Sequence, residues 1–593
     1  MKKLAFLLSI LFILALFAGC EGSTTTTPTD SQPSETGTSA PTETAQTPEP
    51  TEDASPYNLA AGKYEVNDRG FPLANYEYEL PLSTTDEVFT FWTTCYSPEA
   101  ITEDNFGDMP YQSALREKTG VNIEYMIISS DMMRENLSMI IASDDLPDLM
   151  SNVYYYFAGP ITSGIEDGYF ANLYDYKEYI PNYLYQVTRY ESDPDVFDLL
   201  FYNDTTILSF TLGTEEPMPA TGYCARADWL RDLGLTPEAI VTYDDIHEML
   251  TRFKIDIGSQ GPMGIFSMVE ISSGTFACGY NTAATLNQAG LPLPRVVDGV
   301  PQFTLTQEDD RYLMQLLTDW HAEGLIDPNW NSYALTVDMN AALTTNVIGY
   351  MSFNPSELKD LEINTSDPDC EWVALTRPLM QEGQQLHFLQ YGENSSMAVG
   401  GGIGGCVISA RCQNIPLLAT WCDYGYSVEG SLFISWGVEG ITWEYDENGN
   451  RLLTDFALNN PDGISTPWLL LVYAMNPFTD PGIQHHLRTY AYPGGEKLVN
   501  FMRDTWIIKG YDKAYDWPRS LKFSAEQTTE INSHAADIGT YMAENWLAFV
   551  DGSKPMSEWD SYVQGLKEFG LSRCEEIYTE AYNTFLEKVE SRG

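Results

Sequence analysis

From residue 87 onward the chain alternates two hydrophobic rhythms. Glu87–Thr94 (EVFTFWTT) and Val121–Ile128 (VNIEYMII) are short, β-branched and aromatic, and read as strands. Between them Tyr111–Lys118 has helical spacing and stops at Gly120. Asp131–Ala142 follows with Met133, Leu137, Ile140 and Ile141 on one helical face, and Leu149–Met150 opens a third strand. That β-α-β-α-β order predicts an α/β layer with a mostly parallel sheet. Further along, Thr242 with Asp245, Thr306 with Asp309 and Ser557 with Asp560 are spaced as variant capping boxes. Each precedes an amphipathic run, the last two stopping at Gly324 and Gly570, and a final helix is expected from about 573 to 589. No internal repeat is seen.

The amino end follows another pattern. Lys2 and Lys3 precede an apolar run, Leu4–Phe17, that is too short to cross ~30 Å of hydrocarbon comfortably and ends at Ala18-Gly19-Cys20. Residues 1–19 therefore read as a signal peptide. Phe17–Cys20 resembles a bacterial lipobox, which implies lipidation at Cys20 and a membrane anchor there. Residues 20–56 are rich in Thr, Ser, Pro and Glu, and form an expected disordered tether.

Charge narrows the partners. The 593 residues hold 31 Lys+Arg against 85 Asp+Glu, a net charge of −54. With seven acids in the tether and two lysines in the signal, the body keeps 29 basic against 78 acidic residues. Such a surface repels phosphate backbones, so nucleic acid is excluded as a partner.

The catalytic and metal motifs fail on their context. Gly400–Gly405 (GGGIGG) has dinucleotide-loop spacing, but the strand-like Cys406–Ser409 follows where a helix is required. Asp446, Asn448 and Asn450 imitate a calcium loop, yet the glycine is displaced to Gly449 and position twelve is Ala457. A hairpin with an Asn-Gly turn fits that stretch better. The six histidines form no ligand pair on a helix face, there is no GxSxG, and the eight cysteines after Cys20 form no CxxC. They read as buried free thiols. No cofactor or metal is implied. What stands out is aromatics near strand ends and loops: Trp92 and Tyr96, Tyr154–Phe157, and Trp436 and Trp443. Aromatic platforms among Asp, Glu, Asn and Arg suit sugars, whose rings offer an apolar face rimmed with hydroxyls.

Several segments, in order, resemble the family 1 extracellular solute-binding lipoproteins of bacterial ABC importers, in particular the Gram-positive oligosaccharide-uptake subgroup. They are Leu115–Val121 (LREKTGV), Ala142–Leu149 (ASDDLPDL), Ala225–Leu235 (ARADWLRDLGL), Trp320–Trp330 (WHAEGLIDPNW), Val347–Met351 (VIGYM), Gly437–Tyr445 (GVEGITWEY) and Ser557–Gly570. The resemblance implies a two-lobed, type II periplasmic-binding-protein-like fold and no enzymatic activity. It further implies a monomer, held on the outer face of the cytoplasmic membrane, that passes an oligosaccharide to a permease. Lobe 1 is expected at 57–205 plus 340–425 and lobe 2 at 206–339 plus 426–593. By position, Trp92, Tyr96, Asp148, Asn152, Arg226, Asp228, Asn354, Trp436 and Glu439 would line the cleft, with Trp92 and Trp436 as stacking platforms and Arg226 and Asp228 binding hydroxyls. A lipid-anchored carbohydrate-active enzyme, and a binding protein for a peptide or other solute, remain the alternatives.

Overall fold

A computed structural model describes residues 55–592 except 96, 158–160, 189–200, 212–221, 266–275, 285, 288–289, 334–338, 354–357, 359–360, 362–364, 366, 390–404, 465, 475–490, 492–494, 508–510 and 519–520. The signal, the tether as far as residue 54, Tyr96, Asn354 and residues 400–404 of the glycine run lie outside the described residues. No described helix is long and apolar enough to cross a membrane.

The elements that matter here are, in chain order, β1 (Val88–Thr94), α1 (Pro110–Thr119), β2 (Asn122–Ile128), α2 (Met133–Ser143), β3 (Leu149–Ser151), β4 (Gly222–Arg226), α3 (Ala227–Leu233) and α4 (Tyr243–Arg252). They continue with α5 (Glu308–Ala322), β5 (Tyr350–Phe353), β6 (Trp372–Ala374), β7 (Cys406–Ile408), α6 (Ile415–Tyr424), α7 (Val428–Trp436), β8 (Trp443–Tyr445) and β9 (Arg451–Leu453). The last are α8 (Thr466–Tyr473), α9 (Ala525–Val550), α10 (Trp559–Glu568) and α11 (Leu571–Arg592).

The first sheet has the order β7-β3-β1-β2. β1 is parallel to β2 and β3, and β7 closes the edge antiparallel to β3, with Cys406 opposite Ser151. Successive side chains point to opposite faces, and most of β1 and all of β3 are buried on both, with hydroxyl residues among the apolar ones. Phe89, Phe91, Leu149, Cys406 and Ile408 enter one core with Leu417 and Leu418 of α6. Trp92, Met150 and Val407 share a register row on the other face, under Met133 and Leu137 of α2.

The second sheet is antiparallel, in the order β6-β4-β5. Tyr223 and Ala225 face a core built with α4, α5 and the carboxy-terminal helices, while Cys224 faces Met351, Phe353, Trp372 and Trp506. α4 carries the expected capping box: Asp245 N donates to Thr242 Oγ1 (3.2 Å) and Thr242 N to Asp245 Oδ2 (2.8 Å). On α5 the box sits one residue later than predicted, on Gln307 and Asp310, because Asp310 Oδ2 accepts both Thr306 N and Gln307 N. The box predicted at Ser557 does not form. Met556–Glu558 make a 3₁₀ turn, and α10 begins at Trp559 without a side-chain cap.

The assignment of segments differs from the predicted division. β5 and β6, expected in lobe 1, pair with β4 in the second sheet. Residues 428–474, expected in lobe 2, pack on the first: Trp436, Leu453, Leu469 and Leu470 share a core with Ala100, Phe106 and Met109. Gln112 Nε2 donates to Val472 O there. Phe210 bridges Cys406 and so also belongs with the first sheet. Strand pairing over long sequence distances decides this, and local periodicity carries no trace of it. Among the described residues the chain therefore changes sheet three times, between Thr211 and Gly222, between Leu389 and Gly405, and between Ala474 and Gly495.

Candidate functional site

Two of these passages define which end of each sheet faces the other lobe. Phe210 and Cys406 exchange backbone hydrogen bonds, and Cys406 lies opposite Ser151. The crossings thus attach at the carboxyl ends of β1 and β3, where open α/β sheets gather their ligand groups. On the second sheet the matching end holds Gly222, opposite Phe353, and the exit of β6 after Ala374.

At the first sheet's edge the groups are neutral hydrogen-bonding ones. Ser151 Oγ donates to Thr93 Oγ1 at 2.9 Å. Thr94 is fully buried, and its Oγ1 has no partner among the described residues. Asn152 is buried in the left-handed region (φ 57), which Asn tolerates better than most residues, and donates its backbone N–H to Gly405 O at 2.9 Å. At the second sheet's edge Trp506 lies flat against Gly222, where an added Cβ would come within 2.2 Å of the indole, and Trp506 Nε1 donates to Tyr223 O. That position requires glycine.

Beside the end of β1 stands an aromatic group. α7 ends at Trp436, and the chain reverses through Gly437 (φ 79), where a Cβ would meet Tyr473 O at 2.5 Å. Thr442 Oγ1 donates to Trp436 O at 2.6 Å, and Trp443 Nε1 donates to Gly437 O at 3.1 Å. The two indoles meet edge to face with centroids 6.2 Å apart. The Arg451 guanidinium lies 5.2 Å from the Trp443 ring and 5.8 Å from both Trp436 and Tyr445. Trp436 is buried, yet its Nε1 has no partner among the described residues, and Glu439 is exposed in the same turn. The stretch that imitates a calcium loop is the expected hairpin: Asp446 accepts from Asn448 N, Asn450 N and Asn450 Nδ2 to close the turn between β8 and β9.

The nine expected cleft residues fall into three groups. Asn152, Trp436 and Glu439 lie at or beside the first sheet's crossing edge; Tyr96 and Asn354 follow Cys95 and Phe353 in sequence but are outside the described residues. The other four have structural partners. Trp92 is inside β1, fully enclosed, with Nε1 donating to Asn136 Oδ1 at 2.7 Å, so it presents no platform. Asp148 accepts from Thr90 N (2.8 Å) and Thr90 Oγ1 (2.9 Å) and fastens β1 to the turn before β3. Arg226 is four residues, roughly 13 Å, along β4 from its crossing end. Its guanidinium is fully buried and forks onto Asp228 (2.8 and 2.6 Å), reaching Asn346 and Asp367 as well.

Thr94 and Ser151 were not singled out from sequence, since small hydroxyl residues in a strand resemble any half-polar position. The eight body cysteines are free thiols, and burial pushes Cys412 up to about 12 and Cys574 to about 11.

Neither a protein-family model nor a curated protein matches this sequence. Solved structures do. The Streptococcus pneumoniae ABC-transporter substrate-binding protein FusA, in complex with kestose, superposes with a TM-score of 0.64 at 19% identity, over 85% of this chain and 100% of its own. An HMO-binding, ABC-transporter-associated solute-binding protein from Bifidobacterium longum infantis gives 0.63 at 15% identity, over 84% and 99%. The alginate-binding protein AlgQ2 gives 0.62 at 19% identity, over 84% and 99%. The chain has the two-lobed, type II periplasmic-binding-protein-like fold.

Proposed function

We propose that this protein is an extracellular solute-binding lipoprotein that captures an uncharged oligosaccharide between its lobes and hands it, unaltered, to an ABC importer. The observation that carries this reading is the make-up of the first sheet's crossing edge. Thr94 Oγ1 and Trp436 Nε1 are buried polar atoms without described partners, beside two indoles packed edge to face and neutral hydroxyls. Indoles suit the apolar face of a sugar ring, and buried unpaired donors and acceptors suit its hydroxyls. The proposed lobes are 55–211 with 405–474, and 222–389 with 495–592. Three passages between them suit hinge closure, in which a ligand touching both lobes selects the closed state. The proposed lining is Asn152, Trp436 and Glu439, joined by Thr94 and Trp443, with Tyr96 and Asn354 by their place in the chain.

Titrating the purified protein with neutral oligosaccharides, uronic-acid oligomers and peptides tests the reading. A true ligand at a hundred times its Kd raises unfolding free energy by about 2.7 kcal/mol. We expect this from neutral oligosaccharides, recovered intact and bound by a monomer. Response to peptides alone would defeat the reading, and cleaved glycan would favour the enzyme instead. Trp443→Ala is expected to weaken the responding glycan about tenfold, some 1.4 kcal/mol, read by calorimetry; unchanged affinity removes Trp443 from the lining.

The membrane attachment is proposed from Leu4–Phe17 and Cys20. Acyl chains on Cys20 contribute ~0.8 kcal/mol per buried CH₂. Cys20→Ala in the producing cell is expected to shift the protein from the membrane fraction to the medium, and retention in the membrane argues for a different anchor.

A further inference from the structure

We propose that Lys522 is a positioning residue, a tie from the second lobe to the first that keeps the lobes arranged for capture. This rests on the lobe division and capture reading above, and assigns a role to a residue outside the expected lining. The observation is a hydrogen bond from Lys522 Nζ to Phe201 O at 3.2 Å. Phe201 belongs to the stretch 55–211 and Lys522 to 495–592, so the bond runs from lobe to lobe.

Each end is fixed by its own lobe. Lys522 is half-buried just ahead of α9, where a capping box sets the backbone: Gln527 N donates to Ser524 Oγ (3.1 Å) and Ser524 N to Gln527 Oε1 (3.0 Å). Beside it Phe523 packs on Tyr578 of α11, with ring centroids 4.6 Å apart. On the other side Phe201 is 1% exposed, and its ring meets Phe71 edge-on at 5.7 Å. The Phe201 carbonyl therefore cannot move without its core, and the lysine stem is rooted in a helix start.

The bond also lies close to a passage between the lobes. Phe201 pairs antiparallel with Ile207, and three residues further on Phe210 bonds to Cys406, where the passages attach. One strand spacing plus three extended residues is at most about 15 Å. A rigid-body rotation of about 15° displaces a point at that radius by up to about 4 Å, enough to part a donor from its acceptor. A bond from an ammonium is charge-assisted and resists that parting more than a neutral one does. A guest that must touch both lobes binds only the fraction of molecules in which they are suitably placed. A tie beside the passage narrows the arrangements sampled and leaves the guest less ordering to impose. Its loss should weaken capture without altering a lining residue.

The test compares the original chain with Lys522→Met, which keeps an apolar stem without the donor, and Lys522→Arg, which keeps a cationic donor. The probe is the neutral oligosaccharide giving the largest stabilisation in the titration described above. By calorimetry Lys522→Met is expected to bind it at least threefold more weakly, and Lys522→Arg to recover most of that loss. Small-angle X-ray scattering of the unliganded proteins should give Lys522→Met a larger radius of gyration, a shift that a purely local packing role would not produce. The proposal is overturned if the scattering curves of the original and Lys522→Met superimpose, or if Lys522→Met binds the probe as tightly as the original or more so. Should the original chain bind no oligosaccharide, the capture reading fails, and the scattering comparison alone decides whether Lys522 ties the lobes.

Discussion

Replacing Asp423 with Asn should lower stability by about 3 kcal/mol at pH 5 and flatten its dependence on pH between about 4 and about 7. Asp423 is fully buried on α6, and its carboxylate accepts from Tyr78 OH (2.7 Å), Asn182 N (3.1 Å), Asn182 Nδ2 (3.0 Å) and Tyr183 N (2.7 Å). Burial penalises the charge and pushes the carboxyl up to about 7, while the four donors oppose that rise. The folded protein therefore binds this proton more tightly than the unfolded chain does. Unfolding free energy is favoured by this group below the usual 3.8 and loses that contribution as pH climbs through about 7. At about 1.4 kcal/mol per pH unit, three units correspond to roughly 4 kcal/mol. An asparagine has one acceptor oxygen, and its amide N–H groups would face donors, leaving buried groups unpaired at about 1–3 kcal/mol each. Tyr76, bonded to both ends of the Asn182 amide, prevents that side chain from turning to compensate. Urea unfolding at pH 4, 5.5 and 7.5 decides the matter: parallel curves for the two proteins would mean that Asp423 does not titrate in this window.

Arg226→Ala should cost 3–5 kcal/mol, the scale set for removing one partner of a buried ion pair. Arg226 holds Asp228 (6% exposed) through two bonds and Asp367 through a third, and lies 4.7 Å from the Trp229 ring. Without it, Asp228 is left charged and enclosed. Arg226→Lys keeps the charge but loses the fork, so it should recover only part of the loss. Paired replacement of Arg226 by Met and Asp228 by Leu should be milder than Arg226→Ala, because no charge is stranded. The readout is denaturant midpoint together with glycan affinity. Had Arg226 been a ligand-binding residue, Arg226→Lys would reduce affinity and leave the midpoint unmoved, and that outcome would sink the structural role given to it here.

Elements were legible in the sequence where their signals are local. β1, α1, β2, α2 and β3 lie within two residues of expectation at nearly every boundary, and Thr242 caps α4 as predicted. Thr306 lost its capping role because its hydroxyl donates to Phe303 O, a contact invisible in the spacing. The site was legible only in part. Trp92 looked like a strand-end aromatic, but the register row with Met150 and Val407 encloses it. Arg226 and Asp228 looked like cleft groups because a sequence does not say which end of β4 meets the crossing. Trp436 and Glu439 sit in a stretch whose turn glycines and Asn-Gly hairpin are local signals, so its backbone was legible in advance.

The antiparallel pairing of β7 with β3 has a consequence for biogenesis. Ser151 waits for Cys406, a partner 255 residues later in the chain. Until that stretch has been made, one edge of an apolar three-stranded layer stays open, and open edges recruit other chains. Topologies dominated by such distant pairing fold slowly. A nascent polypeptide of this kind spends its most aggregation-prone interval before its last third exists, which makes shielding during synthesis and transit a requirement of the architecture itself.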